Sequence, residues 1–404
     1  MSDFIELPVS VFDPEFTLNP YNFLADLYER KDVLGFHSEG MNFLFRHADC
    51  QAVLKSPLAR REPLSNPDFQ ERETRYAQQY PNRLWEMSHN FSMGEVDIKL
   101  KSQLVRFLGN IEQAARFEDM EPIFQRLSEG GDLTDYIEQT STLPLQVILD
   151  TCGLSTSDEE VRAVYSAGCD YLKSFENLGD EQLIADADAA VVFLRDFVQR
   201  HYHRLRPGSL VYDHVNNCRA LGLSDEKIQA NLIGPILISA SNTMGISSAF
   251  FLRNLIRYPE ARHRLRENPA LFASDNVLLE FLRRDNHVKA LSRHMHGTLD
   301  LDRFQLGEGS SVCLFFPGAN LDPGHWERPL EIDLERDLST QNHILIGGAK
   351  HVCIGKTLAV AFLRSLGQGF VRHLPDSAHI IDSEIELDGS WVAERIITRM
   401  PIRF

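Results

Sequence analysis

A long helix is expected to open at Ser224 and to run through Ile228, Leu232 and Ile236 onward to Leu255. Ser224 followed by Asp225 and Glu226 reads as a helix N-cap, because the hydroxyl accepts a free backbone N–H and the two acids suit the positive helix end. Pro235 falls inside this long helix, where a missing donor and a steric clash with the preceding turn predict a kink. The 43% hydrophobic content of the 404 residues is enough to fill a sizeable core around it.

The remaining periodicity is mainly helical. Leu100, Leu104, Phe107 and Leu108 share one face, and Val191, Leu194 and Val198 share another. Asn42 to Phe45 reads as a strand, short β segments fill Val288 to Phe316, and a helix follows Gly355. The stretch from Arg60 to Val96, rich in Pro, Asn and Gln, is expected as a long, partly helical surface loop. No repeat or linker divides the chain, so residues 1–404 are expected to form a single domain, mainly α with a smaller β region.

The formal charge of -17, from 41 basic and 58 acidic residues, argues against nucleic acid or anionic lipid as partners. Six cysteines, at Cys50, Cys152, Cys169, Cys218, Cys313 and Cys353, lie far apart with no CxxC pair, which fits a reduced compartment. The amino terminus lacks a basic region followed by an apolar run, and no stretch approaches the ~20 apolar residues of a membrane span. A soluble, cytoplasmic chain is expected.

Chemistry concentrates around Cys353. Gly347, Gly348 and Ala349 precede it and Gly355 follows, so the loop carries little side-chain bulk and can lie flat against a planar cofactor. The helix after Gly355 places free N–H groups and a positive end at the sulfur, an arrangement expected to favour thiolate over thiol. Ile346-Gly347-Gly348-Ala349-Lys350-His351-Val352-Cys353-Ile354-Gly355-Lys356-Thr357-Leu358-Ala359 resembles the cysteine loop of the cytochrome P-450 family, F-G-x-G-x-H-x-C-x-G-x-x-L-A. Ile346 and Ala349 depart from that pattern.

Further segments resemble the family in the right order. Glu280 and Arg283 match its E-x-x-R pair, whose i, i+3 spacing puts both groups on one helix face. Ala319-Asn320-Leu321-Asp322-Pro323 and the stretch from Pro329 to Arg336 resemble the segments that follow. At the arginine that usually completes the triad this chain has Glu331, and Arg336 is the candidate substitute. The resemblance implies a cytochrome P-450 fold and haem b (iron protoporphyrin IX) with Cys353 as thiolate ligand. It also implies haem contacts from Gly347 and Gly355, and propionate partners among His351, Arg293 and Lys101. Asp97 and Lys101 stand where the family has H-x-x-x-R, and a solvated charged face is the alternative for both. His294 with His296, and His201 with His203, lack further ligands at metal-site spacing and read as packing or surface residues.

A thiolate ligand favours O–O cleavage when protons are supplied. The family's acid-alcohol pair corresponds to Ser241-Asn242-Thr243, with Thr243 as the alcohol and Asn242 in place of the acid. An amide cannot relay protons as a carboxylate does. Two outcomes stay open: Thr243, Ser241 and water suffice for monooxygenation, or the enzyme couples electron-rich aromatics of phenol or pyrrole type without inserting oxygen. A third reading, with Asn242, Glu331 and Asp97 all off-pattern, is a non-catalytic haem-binding sensor or a degenerate family member. The chain has no flavin or iron-sulfur module, so resemblance implies a separate ferredoxin or flavodoxin with its reductase, docking on Lys350, Lys356, Lys99 and Arg106 unless these are merely scattered lysines and arginine. The expected substrate is a small apolar or aromatic molecule. Its walls would come from 60–96, 165–193, 236–243 and 288–291.

Overall fold

The computed structural model describes residues 4–61, 67–89, 98–120, 124–125, 136–154, 156–174, 180–338, 343–347, 352–388 and 393–404. Its larger sheet runs in the order β1 (Phe4–Glu6), β2 (Gly35–Ser38), β3 (Met41–Leu44), β8 (Ser311–Phe315), β5 (Ala290–Met295) and β4 (Ala59–Arg61). Two small antiparallel pairs join β6 (Leu299–Asp300) to β7 (Gln305–Leu306) and β9 (Glu386–Asp388) to β10 (Ile396–Arg399). Phenylalanines fill one side of the large sheet, with Phe36 stacked on Phe43 at 4.9 Å.

The helices that frame the site are α1 (Pro67–Ala77), α2 (Pro81–His89), α3 (Ile98–Ala114), α4 (Ile137–Cys152), α5 (Asp158–Lys173) and α6 (Glu181–Tyr202). They continue with α7 (Leu210–Ala220), α8 (Asp225–Asn231), α9 (Ser241–Arg257), α10 (Asp275–Arg284) and α11 (Lys356–His373). Caps start several of them where local chemistry dictates. Ser157 accepts from the Glu160 N–H, Asp180 from Gln182 and Leu183, and Ser224 from Lys227 at 3.3 Å, the last as its sequence predicts. Gly153, at φ +74°, ends α4 because the left-handed conformation costs glycine no Cβ clash.

The long apolar helix is continuous from Asp225 to Arg257, but its middle, Leu232–Ala240, is a π-helix that contains Pro235. Proline removes one donor from the ladder, and wider π turns occupy the stretch where the sequence leads one to expect a kink. It is long and apolar enough to cross a membrane, contrary to the expectation that no stretch approaches that length, yet 83% of its most apolar window is buried inside the protein. At Gly245 a Cβ would lie 2.2 Å from the Ser141 carbonyl, so only glycine permits the approach of α9 to α4.

The expected loop between Arg60 and Val96 is largely helical where described, forming α1 and α2. Asp188 of α6 accepts the Asn82 and Arg83 N–H groups at 2.6 and 2.9 Å, which caps α2 from across the fold. Buried Arg83 pairs with Glu73 and donates to Ser174 Oγ at 2.7 Å, holding α1 and α2 to the end of α5.

Candidate active site

Gly355 is the N-cap of α11, which leaves Cys353 at the mouth of that helix. The Cys353 N–H donates to the Ile346 carbonyl at 2.9 Å, folding the loop back on itself. Gly347 sits at φ +78°, a backbone that disfavours side chains, and a Cβ on Gly355 would contact the Cys353 sulfur at 3.9 Å. Cys353 keeps accessible surface, yet the surrounding protein displaces enough water to push its thiol up. The N–H groups of Gly355 and Lys356 pull it down, but less strongly. Desolvation thus outweighs the pull of the helix N-terminus that the sequence led us to expect at this sulfur.

Beneath this loop Glu280 and Arg283 are fully buried and joined by two bonds, at 2.8 and 2.9 Å. Arg336 completes the group with Nε 3.1 Å from Glu280, while the Asp333 N–H reaches the same carboxylate at 3.1 Å. Arg283 also donates to the carbonyls of Asn320, Pro329 and Glu331. The Glu331 side chain turns outward to Arg328 at 2.8 Å. Arg336 therefore occupies the place that position 331 leaves.

On the long helix, Thr243 keeps accessible surface and its hydroxyl donates to the Ser239 carbonyl at 2.5 Å. Ser241 and Asn242 are fully buried. Ser241 donates to the Leu237 carbonyl and lies 3.1 Å from Asn242 Oδ1. The Asn242 amide donates to the Tyr165 carbonyl at 3.2 Å and to Cys169 Sγ at 3.1 Å, both on α5. The structure thus brings Thr243 to the accessible face and turns Ser241 and Asn242 into the contact between α9 and α5, so neither is placed to handle water beside Thr243.

Arg293 on β5 is buried, and its hydrogen bond among the described residues goes to the Ser292 carbonyl at 2.6 Å, with no carboxylate partner there. Burial pushes it down to about 10. Its register partner Arg61, on β4, is pushed down to about 10 by burial and then by the charge of Arg293. Lys101 is half-buried on α3, with Lys99 and Arg106 exposed on the same helix. His351, Asp97 and Lys350 lie outside the described residues. No group of three or more metal-ligating side chains occurs among the described residues, and His294 bonds Ser311 Oγ at 3.1 Å.

No family model matches the chain. A 134-residue stretch is 31% identical to cytochrome p450 CYP199A2 of Rhodopseudomonas palustris, covering 32% of this chain and 31% of that protein. A 262-residue stretch is 23% identical to cytochrome P450 144 of Mycobacterium tuberculosis, covering 64% of this chain and 57% of that protein. The matches thus span less than two thirds of the length of these two relatives. The structure of epothilone D-bound cytochrome P450epoK shares the fold, with a TM-score of 0.77 over 98% of both chains at 19% identity. The fold is that of the cytochromes P450, and the sequence resembles theirs.

The cytochrome P450 fold implies haem held by a cysteine thiolate, and the residues present here fit such a group. An accessible sulfur lies between Gly347, at a backbone that disfavours side chains, and Gly355. Arg293 is a buried cation without a carboxylate among the described residues, a costly state that a haem propionate would relieve. Sequence reasoning missed the Tyr165 and Cys169 partners of Asn242, the pairing of Arg61 with Arg293, and the contact of Ser247 with His287. None has a local signal, because each joins residues brought together only by packing.

Proposed function

We propose that this protein is a haem-thiolate monooxygenase acting on a small apolar or aromatic molecule. It would use O2 and electrons from a separate ferredoxin or flavodoxin with its reductase, as a soluble cytoplasmic enzyme. The observation that carries this reading is Cys353 at the mouth of α11, accessible and anchored through its own N–H. Haem b, when bound, supplies the reductive activation of O2. Cys353 would hold the haem iron through its sulfur, and Gly347 and Gly355 would leave room for the group. Arg293 would hold a propionate, with Lys101 and His351 as the further candidates. The Thr243 hydroxyl, by rotating from the Ser239 carbonyl, can hold a water or a proton at the accessible face of α9. Lys99, Arg106 and Lys356, with Lys350, would meet an acidic electron donor.

Reduction under carbon monoxide tests the ligand: wild type should give the red-shifted Soret band of thiolate ligation, and Cys353→Ser should abolish it. A wild-type spectrum without that band overturns the reading.

A second reading is favoured by the Asn242 geometry. Its amide is committed to Tyr165 and Cys169, so the acidic arm of a proton relay is missing, which suits coupling of electron-rich aromatics more than oxygen insertion. Product analysis with a surrogate ferredoxin system separates the two: dimers without added oxygen support coupling, and products that always carry an inserted oxygen sink it. Asn242→Asp should not convert one outcome into the other, because a carboxyl there faces the Tyr165 carbonyl rather than the accessible face. Turnover of no tested substrate by a protein with the red-shifted band would instead favour a sensor.

A further inference from the structure

Between α10 and β5 the chain passes through Asn286 and His287, which tie together two parts of the site. The Asn286 amide donates to the Leu345 carbonyl at 3.1 Å, in the loop that leads to Cys353. His287 Nδ1 lies 2.9 Å from Ser247 Oγ, and Ser247 in turn donates to the Thr243 carbonyl at 2.6 Å. This dipeptide therefore links the cysteine loop to the helical turn that carries Thr243. Accessibility agrees: Ser239, Ala240 and Thr243 keep surface on the long helix, whereas Ser241, Asn242 and the run from Met244 to Ile256 are buried. His287 is half-buried between buried Asn286 and half-buried Val288.

The hydrogen bonds settle the form of the imidazole. A serine hydroxyl has one proton, and the short bond to the Thr243 carbonyl takes it, so Nδ1 must be the donor to Ser247 and Nε2 carries the lone pair. Burial and the charge of Arg395 push His287 down to about 3, which keeps the ring neutral. Arg395 is itself held by Asp285 at 2.7 Å, and its N–H donates to the His287 carbonyl at 2.8 Å. Nε2 has no hydrogen-bond partner among the described residues and is not among the sealed polar atoms. A neutral acceptor of fixed tautomer thus remains open on the wall shared by the cysteine loop and the Thr243 turn.

We infer that His287 is a substrate-selecting residue, anchored on Ser247 through Nδ1–H and offering Nε2 as an acceptor to a hydroxyl or N–H donor on the molecule oxidised beside Thr243. The inference rests on the haem-thiolate reading and narrows its substrate class to apolar or aromatic molecules that bear such a donor. An open acceptor that loses its water and gains no donor disfavours the fully apolar analogue, whereas a matched donor restores the bond.

The test uses the haem-loaded protein and probe pairs that differ only in the donor: 4-ethylphenol against 4-ethyltoluene, indole against benzothiophene, and 1-decanol against undecane. Binding is read as the Soret spin-state change. Wild type should prefer the donor member of at least one pair by about ten-fold. His287→Phe should abolish that preference while leaving affinity for the apolar member unchanged or improved. His287→Gln, whose amide oxygen reaches the Nε2 position, should retain part of it. A role limited to bracing α9 would weaken both members equally. Absence of donor preference in every pair, or its persistence in His287→Phe, overturns the inference. If wild type also lacks the red-shifted band with carbon monoxide, the haem-thiolate reading falls as well, so the two failures are separable.

Discussion

Arg336→Ala removes one of the three groups that satisfy the buried Glu280 carboxylate. That carboxylate receives Arg283 at 2.8 and 2.9 Å, Arg336 at 3.1 Å and the Asp333 N–H at 3.1 Å. Because Arg283 remains, the carboxylate is not stranded, and the roughly 3–5 kcal/mol typical of breaking a buried pair overstates the cost. The loss is closer to a single hydrogen bond to a charged group, about 1.5–3 kcal/mol. With an unfolding entropy of about 2.1 cal/mol/K per residue, a 404-residue chain has roughly 0.85 kcal/mol/K in all, so the midpoint should fall by roughly 2–4 °C. Glu331→Ala is the control. Its partner Arg328 is exposed, as it is, and such pairs are worth little, so the shift should stay below about 1 °C. Arg336→Lys should fall between, since one ammonium keeps the charge without the planar fork. The assay is far-ultraviolet circular dichroism at one scan rate, with the Soret band as a second probe, because cofactor-loaded proteins depart from two-state unfolding. Equal shifts for Arg336→Ala and Glu331→Ala would refute the assignment of Arg336 to the buried network.

Arg293→Met should change sign with cofactor: no loss, or a gain, of stability without haem, because an uncompensated buried cation is removed. With haem, transfer to a scavenging apoglobin should accelerate by roughly 10–100-fold, and unchanged transfer would detach Arg293 from the propionates. Burial pushes His214, stacked on Phe107 at 4.2 Å, down to about 4. The unfolded chain takes up that proton near pH 6.5 and the folded chain only near pH 4, so stability is full above pH 6.5 and is lost as pH falls through this window. Urea midpoints for His214→Phe should fall less steeply between pH 6.5 and 4 than those of wild type, and a slope as steep as wild type would exclude His214 as a source. Asn242→Asp should cost about 1–3 kcal/mol in urea unfolding, since a carboxyl loses the bonds donated to Tyr165 and Cys169; a stabilised variant would show that position 242 does not depend on them.

Legibility in the sequence followed the range of the interaction. The N-cap at Ser224, the i, i+3 pair of Glu280 and Arg283, and the cysteine ahead of a helix are local patterns, and each appears in the structure where its spacing places it. The Arg60 to Val96 stretch, expected as a partly helical loop, is largely helical where described, and distant groups hold its helices: Asp188 caps α2 and Ser174 accepts from Arg83. Pro235 was visible as a disturbance, but whether a helix answers by kinking or by widening depends on what packs around it.

The sequence by itself pointed to the P450 fold, the helical class and the cysteine proposed as ligand, because glycine freedom, helix periodicity and cap chemistry act within a few residues. Tertiary structure alone decided the polar wiring. Arg336 rather than residue 331 reaches Glu280 from 56 positions away, Asn242 spends its amide on a carbonyl 77 positions away, and His287 meets Ser247 across 40. Those bonds exist because the burial of apolar helix faces sets which polar groups face one another, and a buried donor must then take the partner that packing leaves within reach.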